Sequence, residues 1–119
     1  MWESDASHYS EVKAAEIALL SSAVRNNSDN VSSLLSDDFA EIGRSGRRWS
    51  YLETVAALQG EQPRPVPKTS EWLFNRISPE LVLVNYRIHG TDHDSRHSSL
   101  WEIAGPVMRF HQGTIIPTD

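Results

Sequence analysis

The chain contains no cysteine. That excludes a disulfide framework, a thiol nucleophile and cysteine-ligated zinc. It is also short of positive charge, with 11 Lys and Arg against 16 Asp and Glu and a net charge of −5. Nucleic-acid binders rest on a basic face, so no nucleic-acid partner is expected. The one basic cluster, Arg44, Arg47 and Arg48, reads as a solvated turn. No run approaches the ~18 apolar residues of a membrane-spanning helix. The N-terminal residues include Glu3 and Asp5 and lack the basic-then-apolar order of a signal peptide. A soluble cytoplasmic protein without a membrane partner is the expectation. There is no phosphate-binding glycine loop, Ser98 and Ser99 lack a nucleophile-elbow setting, and no cofactor is expected. His89, His93 and His97 are spaced four apart, which would stack them for metal binding only on a helix. Gly90 and Asp92 argue instead for a hairpin tip, and no dedicated metal site is expected.

What is present is an ordinary globular composition, 39% hydrophobic and 23% charged over 119 residues. That length predicts one domain over residues 1–119, with 1–7 loose. From His8 to Asn26 the apolar positions recur at three- and four-residue steps: Val12, Ala15, Leu19, Leu20, Ala23 and Val24, with Glu16 in the same stripe. This predicts an amphipathic helix. Ser28 or Asp29 is expected to cap a short second helix carrying Val31, Leu34 and Leu35. Asp37-Asp38 ends it, and Phe39–Gly43 is a short strand. Ser50 with Glu53 three residues on forms a capping box for a third helix whose inner stripe reads Leu52, Val55, Ala56 and Leu58.

After the proline-rich stretch 61–67 the period changes to two. Strands are predicted near 71–77, 81–89, 96–103 and 107–113. In 81–89, Val82, Val84, Tyr86 and Ile88 point one way and Leu81, Leu83, Asn85, Arg87 and His89 the other. Helices first and a run of strands last mean an α+β fold, with helices laid on one face of a curved, mostly antiparallel sheet.

The runs Leu34-Leu35-Ser36-Asp37-Asp38-Phe39, Glu41-Ile42-Gly43, Leu83-Val84-Asn85-Tyr86-Arg87, Ser98-Ser99-Leu100-Trp101 and Phe110-His111-Gln112-Gly113-Thr114 resemble the nuclear transport factor 2-like superfamily. The likeness is to small bacterial members of unassigned function, related to the polyketide-cyclase and ketosteroid-isomerase branches. It covers about residues 10–115. The resemblance implies a cone-shaped α+β barrel, a ligand hollow between helices and sheet, and a homodimer through the outer sheet face. It also implies that steroid isomerisation is not the activity. Gly43 stands where that branch has its base, no Tyr lies near Leu19 or Leu20, and Arg96 replaces the second acid.

The candidate site follows from strand alternation read with the resemblance. Phe39, Glu41 and Gly43 share a face expected to turn inward. Glu41 is therefore the candidate general acid or base, since burial raises a carboxyl pKa unless a cation pairs with it. Trp49, Tyr86, Trp101, Met108, Phe110 and Gln112 are the expected ligand-binding set, aromatic walls with polar handles that suit a small organic ligand. Arg109 and His111 are expected on the outer face with Leu81 and Leu83, as a dimer contact. Three functional classes follow: a small-molecule-binding protein, an isomerase-, cyclase- or hydrolase-type enzyme using Glu41, and a protein-interaction module.

Overall fold

The computed structural model describes residues 1–117. A 3₁₀ turn (Ser7–Tyr9) leads into α1 (Ser10–Ala18), α2 (Ser22–Arg25) and α3 (Ser28–Leu34). Strand β1 (Leu35–Ile42), β2 (Arg48–Ser50) and α4 (Tyr51–Gln59) come next. Then β3 (Lys68–Arg76), β4 (Leu81–His89), β5 (Ser95–Glu102) and β6 (Val107–Ile115) follow in succession. The six strands form one curved sheet in the order β2-β1-β6-β5-β4-β3. Every pairing is antiparallel except β1 with β6. The fold is α+β, as the element order predicts, but the sheet is curved rather than a closed barrel. No helix among the described residues is long and apolar enough to cross a membrane.

The single helix expected over 8–26 is broken, which makes four α-helices among the described residues rather than three. The break lies at Leu19–Ser21, and the guanidinium of Arg25 donates to the Leu19 carbonyl at 2.8 Å. That contact satisfies a carbonyl the helix would otherwise have used, and both Leu19 and Leu20 stay buried. Ala23 is exposed. Asn27, not Ser28 or Asp29, caps α3 by accepting from the Asn30 amide at 3.1 Å. β1 starts at Leu35 and carries Asp37 and Asp38 within the strand, both exposed. The capping box at the start of α4 is present, Ser50 and Glu53 each accepting from the other's backbone. Its inner stripe is Tyr51, Thr54, Val55 and Leu58, whereas Leu52 is 76% exposed and Ala56 also faces solvent.

The core lies between α1 and the concave side of β3, β4 and β5. Tyr9, Val12, Ala15, Leu19 and Leu20 pack against Trp72, Phe74, Val82, Val84, Tyr86 and Trp101. Aromatic rings stack in file here: Tyr9 on Phe74 at 5.2 Å, and Trp72 on Tyr86 at 4.3 Å between centroids. Besides a register shift between Leu35 and Ala40 of β1 along β6, two strands carry bulges. One in β3 lies between Ser70 and Leu73, where Glu71 takes a positive φ of 56°. The other lies between β5 and β6, where Leu100 pairs with Phe110 but Trp101 pairs with Met108.

Candidate functional site

The second bulge decides which side chains face inward. Arg109 is the extra residue, and an extra residue reverses the alternation beyond it. Met108 is buried beside Trp101, but His111 then pairs with Ser99 and Gly113 with His97, all on the concave side. Phe110 pairs with Leu100 and Gln112 with Ser98 on the outer face. Phe110 and Gln112 are thus not inward-facing, and His111 is not outward-facing. Arg109 sits at the bulge, bonded to Asp38 at 3.0 Å. Leu81 and Leu83 remain on the outer face, half-buried.

With that register, one row of side chains crosses the whole concave face: Trp49, Glu41, His111, Ser99, Val84 and Phe74, on adjacent strands from β2 to β3. Its β3–β4 end is apolar and closed by α1. Its other end is polar and partly open. Glu41 keeps 32% of its side-chain surface exposed and His111 12%. His111 Nδ1 stands 3.7 Å from a Glu41 oxygen. Its Nε2 lies 2.8 Å from His97 Nδ1, and His97 Nε2 lies 2.7 Å from the Ser95 hydroxyl. The two imidazoles meet edge to face, and His97 stacks on Tyr86. Burial, then the neighbouring His111 and Arg44, lower the His97 pKa to about 3. The Ser99 hydroxyl, in the row beside His111, is buried without a hydrogen-bond partner.

The other expected site residues have different places. Tyr86 and Trp101 are fully buried core, both held by Glu16. The Tyr86 hydroxyl donates to that carboxylate at 3.2 Å and the Trp101 indole N–H at 3.0 Å. Burial foremost, then the Glu16 charge, push the Tyr86 pKa well above its usual value. Trp49 is half-buried on β2, with the Arg47 guanidinium 3.7 Å over its ring and Gly43 against its edge. Arg87 and Arg96, the cations that could have neutralised Glu41, lie on the outer face. Both pair with Glu71, and Arg87 also pairs with Asp94. No Lys or Arg pairs with Glu41 among the described residues.

His97, His111, Ser95, Ser99 and Glu16 were not in the expected set. A signal existed for one of them. Gly113 stands opposite His97, where a Cβ would lie 2.8 Å from the ring, so the glycine marks a close approach.

Helices on the concave side of a curved six-stranded sheet have known counterparts. No protein-family model and no curated protein matches the sequence. Solved structures do match. A nuclear transport factor 2-like protein from Cytophaga hutchinsonii superposes with a TM-score of 0.75 at 23% identity, over 90% of this chain and 97% of that one. The chain has the nuclear transport factor 2-like fold. A protein of that fold from Rhodospirillum rubrum, described as of unknown function in nutrient uptake, gives a TM-score of 0.69 at 16% identity, over 89% and 98% of the two chains. A cystatin-like fold protein from Burkholderia xenovorans gives 0.74 at 13%, over 100% and 98%. At these identities the likeness speaks for the fold alone.

Proposed function

We propose that the protein binds a small organic molecule at the polar, partly open half of the concave face, in contact with Glu41, Trp49 and His111. The observation that carries this reading is the mixed row itself. A carboxylate without a cationic partner, an imidazole, an indole and a buried unpartnered hydroxyl converge at one end of a face whose other end is packed shut. Aromatic walls with a few convergent polar groups are what small-molecule sites are made of. A buried hydroxyl left without a partner costs about 1–3 kcal/mol, which a ligand group reaching Ser99 would relieve. Thermal-shift screening of small organic molecules tests the proposal. A ligand present at about 100 times its Kd adds about 2.7 kcal/mol. The expected hits raise the melting temperature of the wild type and lose their effect on Trp49→Ala. Hits that shift both proteins equally would count against this site.

A second reading, an acid–base enzyme using Glu41, draws on the 3.7 Å pairing of Glu41 with His111. A carboxylate and an imidazole at the mouth of a partly desolvated site suit proton transfer. The outer face supports a separate proposal, a two-fold homodimer. Leu83, Leu100 and Phe110 lie in one row across three strands there, in place of the set that included His111.

A further inference from the structure

Ser95, His97, His111 and Glu41 stand in line, and the line has a direction. A hydroxyl can donate or accept, a neutral imidazole has one donor and one acceptor, and a carboxylate only accepts. His97 is neutral at ordinary pH because burial pushes its pKa down to about 3, so its two nitrogens play opposite roles. Suppose its Nδ1 accepted from His111 Nε2–H. A neutral His111 would then turn a bare Nδ1 toward the carboxylate, lone pair against lone pair. The opposite sense has no such conflict. The Ser95 hydroxyl donates to His97 Nε2, His97 Nδ1–H donates to His111 Nε2, and His111 Nδ1–H points at Glu41.

We infer that this directed chain presents His111 Nδ1–H and the Glu41 carboxylate as a side-by-side donor and acceptor, and that the site takes a small neutral molecule with a complementary acceptor and donor, such as a primary amide or a hydroxy-carbonyl compound. The inference rests on the ligand-binding reading above and narrows its ligand class. The 3.7 Å between the two groups is longer than a hydrogen bond, so each keeps capacity for a ligand atom. A carboxylate ligand would meet the like charge of Glu41. An ammonium would pair with the Glu41 carboxylate but set a cation against the His111 N–H, which would find no acceptor on it. Discrimination therefore comes from repulsion as much as from attraction. Trp49, next to Glu41 in the row, carries the Arg47 guanidinium on one ring face, so a planar group has only the other face to stack on.

Long-range ¹H–¹⁵N correlation spectra of the uniformly labelled protein read the imidazole protons directly. At about pH 8 both histidines are expected as Nδ1–H tautomers, unlike the Nε2–H form common in water. Glu41→Ala removes the acceptor that fixes the direction and is expected to release both histidines to Nε2–H, with the circular dichroism spectrum unchanged. A wild-type His111 in the Nε2–H form at about pH 8 would overturn the directed chain. The ligand class is tested with benzamide, benzoate and benzylamine by saturation-transfer NMR. Benzamide is expected to bind at least about tenfold more tightly than either ion, with Glu41→Gln narrowing its lead over benzoate. Equal or tighter binding of benzoate or benzylamine overturns the ligand class. If none of the three binds, the ligand-binding reading falls with it, and the tautomer spectra alone decide the chain.

Discussion

The two halves of the concave sheet face are built by the same alternation and end in opposite chemistry. On β3 and β4 the inward residues are Trp72, Phe74, Val82, Val84 and Tyr86, sealed beneath α1. On β5, β6 and β1 they include Ser95, His97, Ser99, His111 and Glu41. The first half holds the helix to the sheet through apolar burial, the dominant favourable term in folding. The second keeps polar groups in a place where each unpaired one costs stability. A fold retains such groups at a cost where they serve something other than packing, and that contrast is the argument for placing function in the second half.

The largest test of the contrast is Phe74→Ala. Phe74 is fully buried and stacked on Tyr9, so truncation is expected to cost about 3–5 kcal/mol in urea unfolding. A loss below about 1 kcal/mol would mean that the apolar half is not what holds the fold.

Glu16 crosses the boundary, a carboxylate 1% exposed within the apolar half. Glu16→Ala leaves the Tyr86 hydroxyl and the Trp101 N–H buried without an acceptor, at about 1–3 kcal/mol for each. Glu16→Gln retains one acceptor oxygen and should recover about half of that loss in the same unfolding measurement.

The polar half should show itself in pH dependence. The folded-state pKa of His97 is depressed from 6.5 to about 3. The unfolded chain thus binds the proton first, and stability is full above about 6.5 and falls as the pH drops toward 3. Between about pH 4.5 and 6.5 this group contributes a slope of up to about 1.4 kcal/mol per pH unit. His97→Gln is expected to flatten that slope in urea titrations at stepped pH. An unchanged slope would show that His97 is not buried neutral.

The smallest expected effect lies outside both halves. Ser50→Ala breaks the capping box at the start of α4 and should cost about 1 kcal/mol, with the imidazole spectra unchanged.

Much of the architecture was legible because it rests on local rules. The bounds of β4 follow from alternation between turn residues, and the α4 start from Ser50 and Glu53. The site was less legible because it depends on register. Met108-Arg109-Phe110-His111-Gln112 reads as regular alternation, and nothing in that run marks Arg109 as the residue that bulges. The bulge carries Phe110 and Gln112 outward and brings His111 in. The break in the first helix was hidden for a related reason, since it depends on Arg25 reaching back to the Leu19 carbonyl. Strand parity grouped Glu41 with Phe39 on one face, and the family resemblance, not parity, turned that face inward.

The most direct test of the central claim, that the polar half of the concave face is the binding site, is a benzamide titration followed by backbone amide chemical shifts. Saturable shifts are expected to centre on Glu41, Trp49 and His111, with the Phe74 and Val84 amides little moved. Shifts centred on the outer face, at Asn85, Ser98 and Gln112, where an open hollow of about 550 Å³ lies, would contradict it.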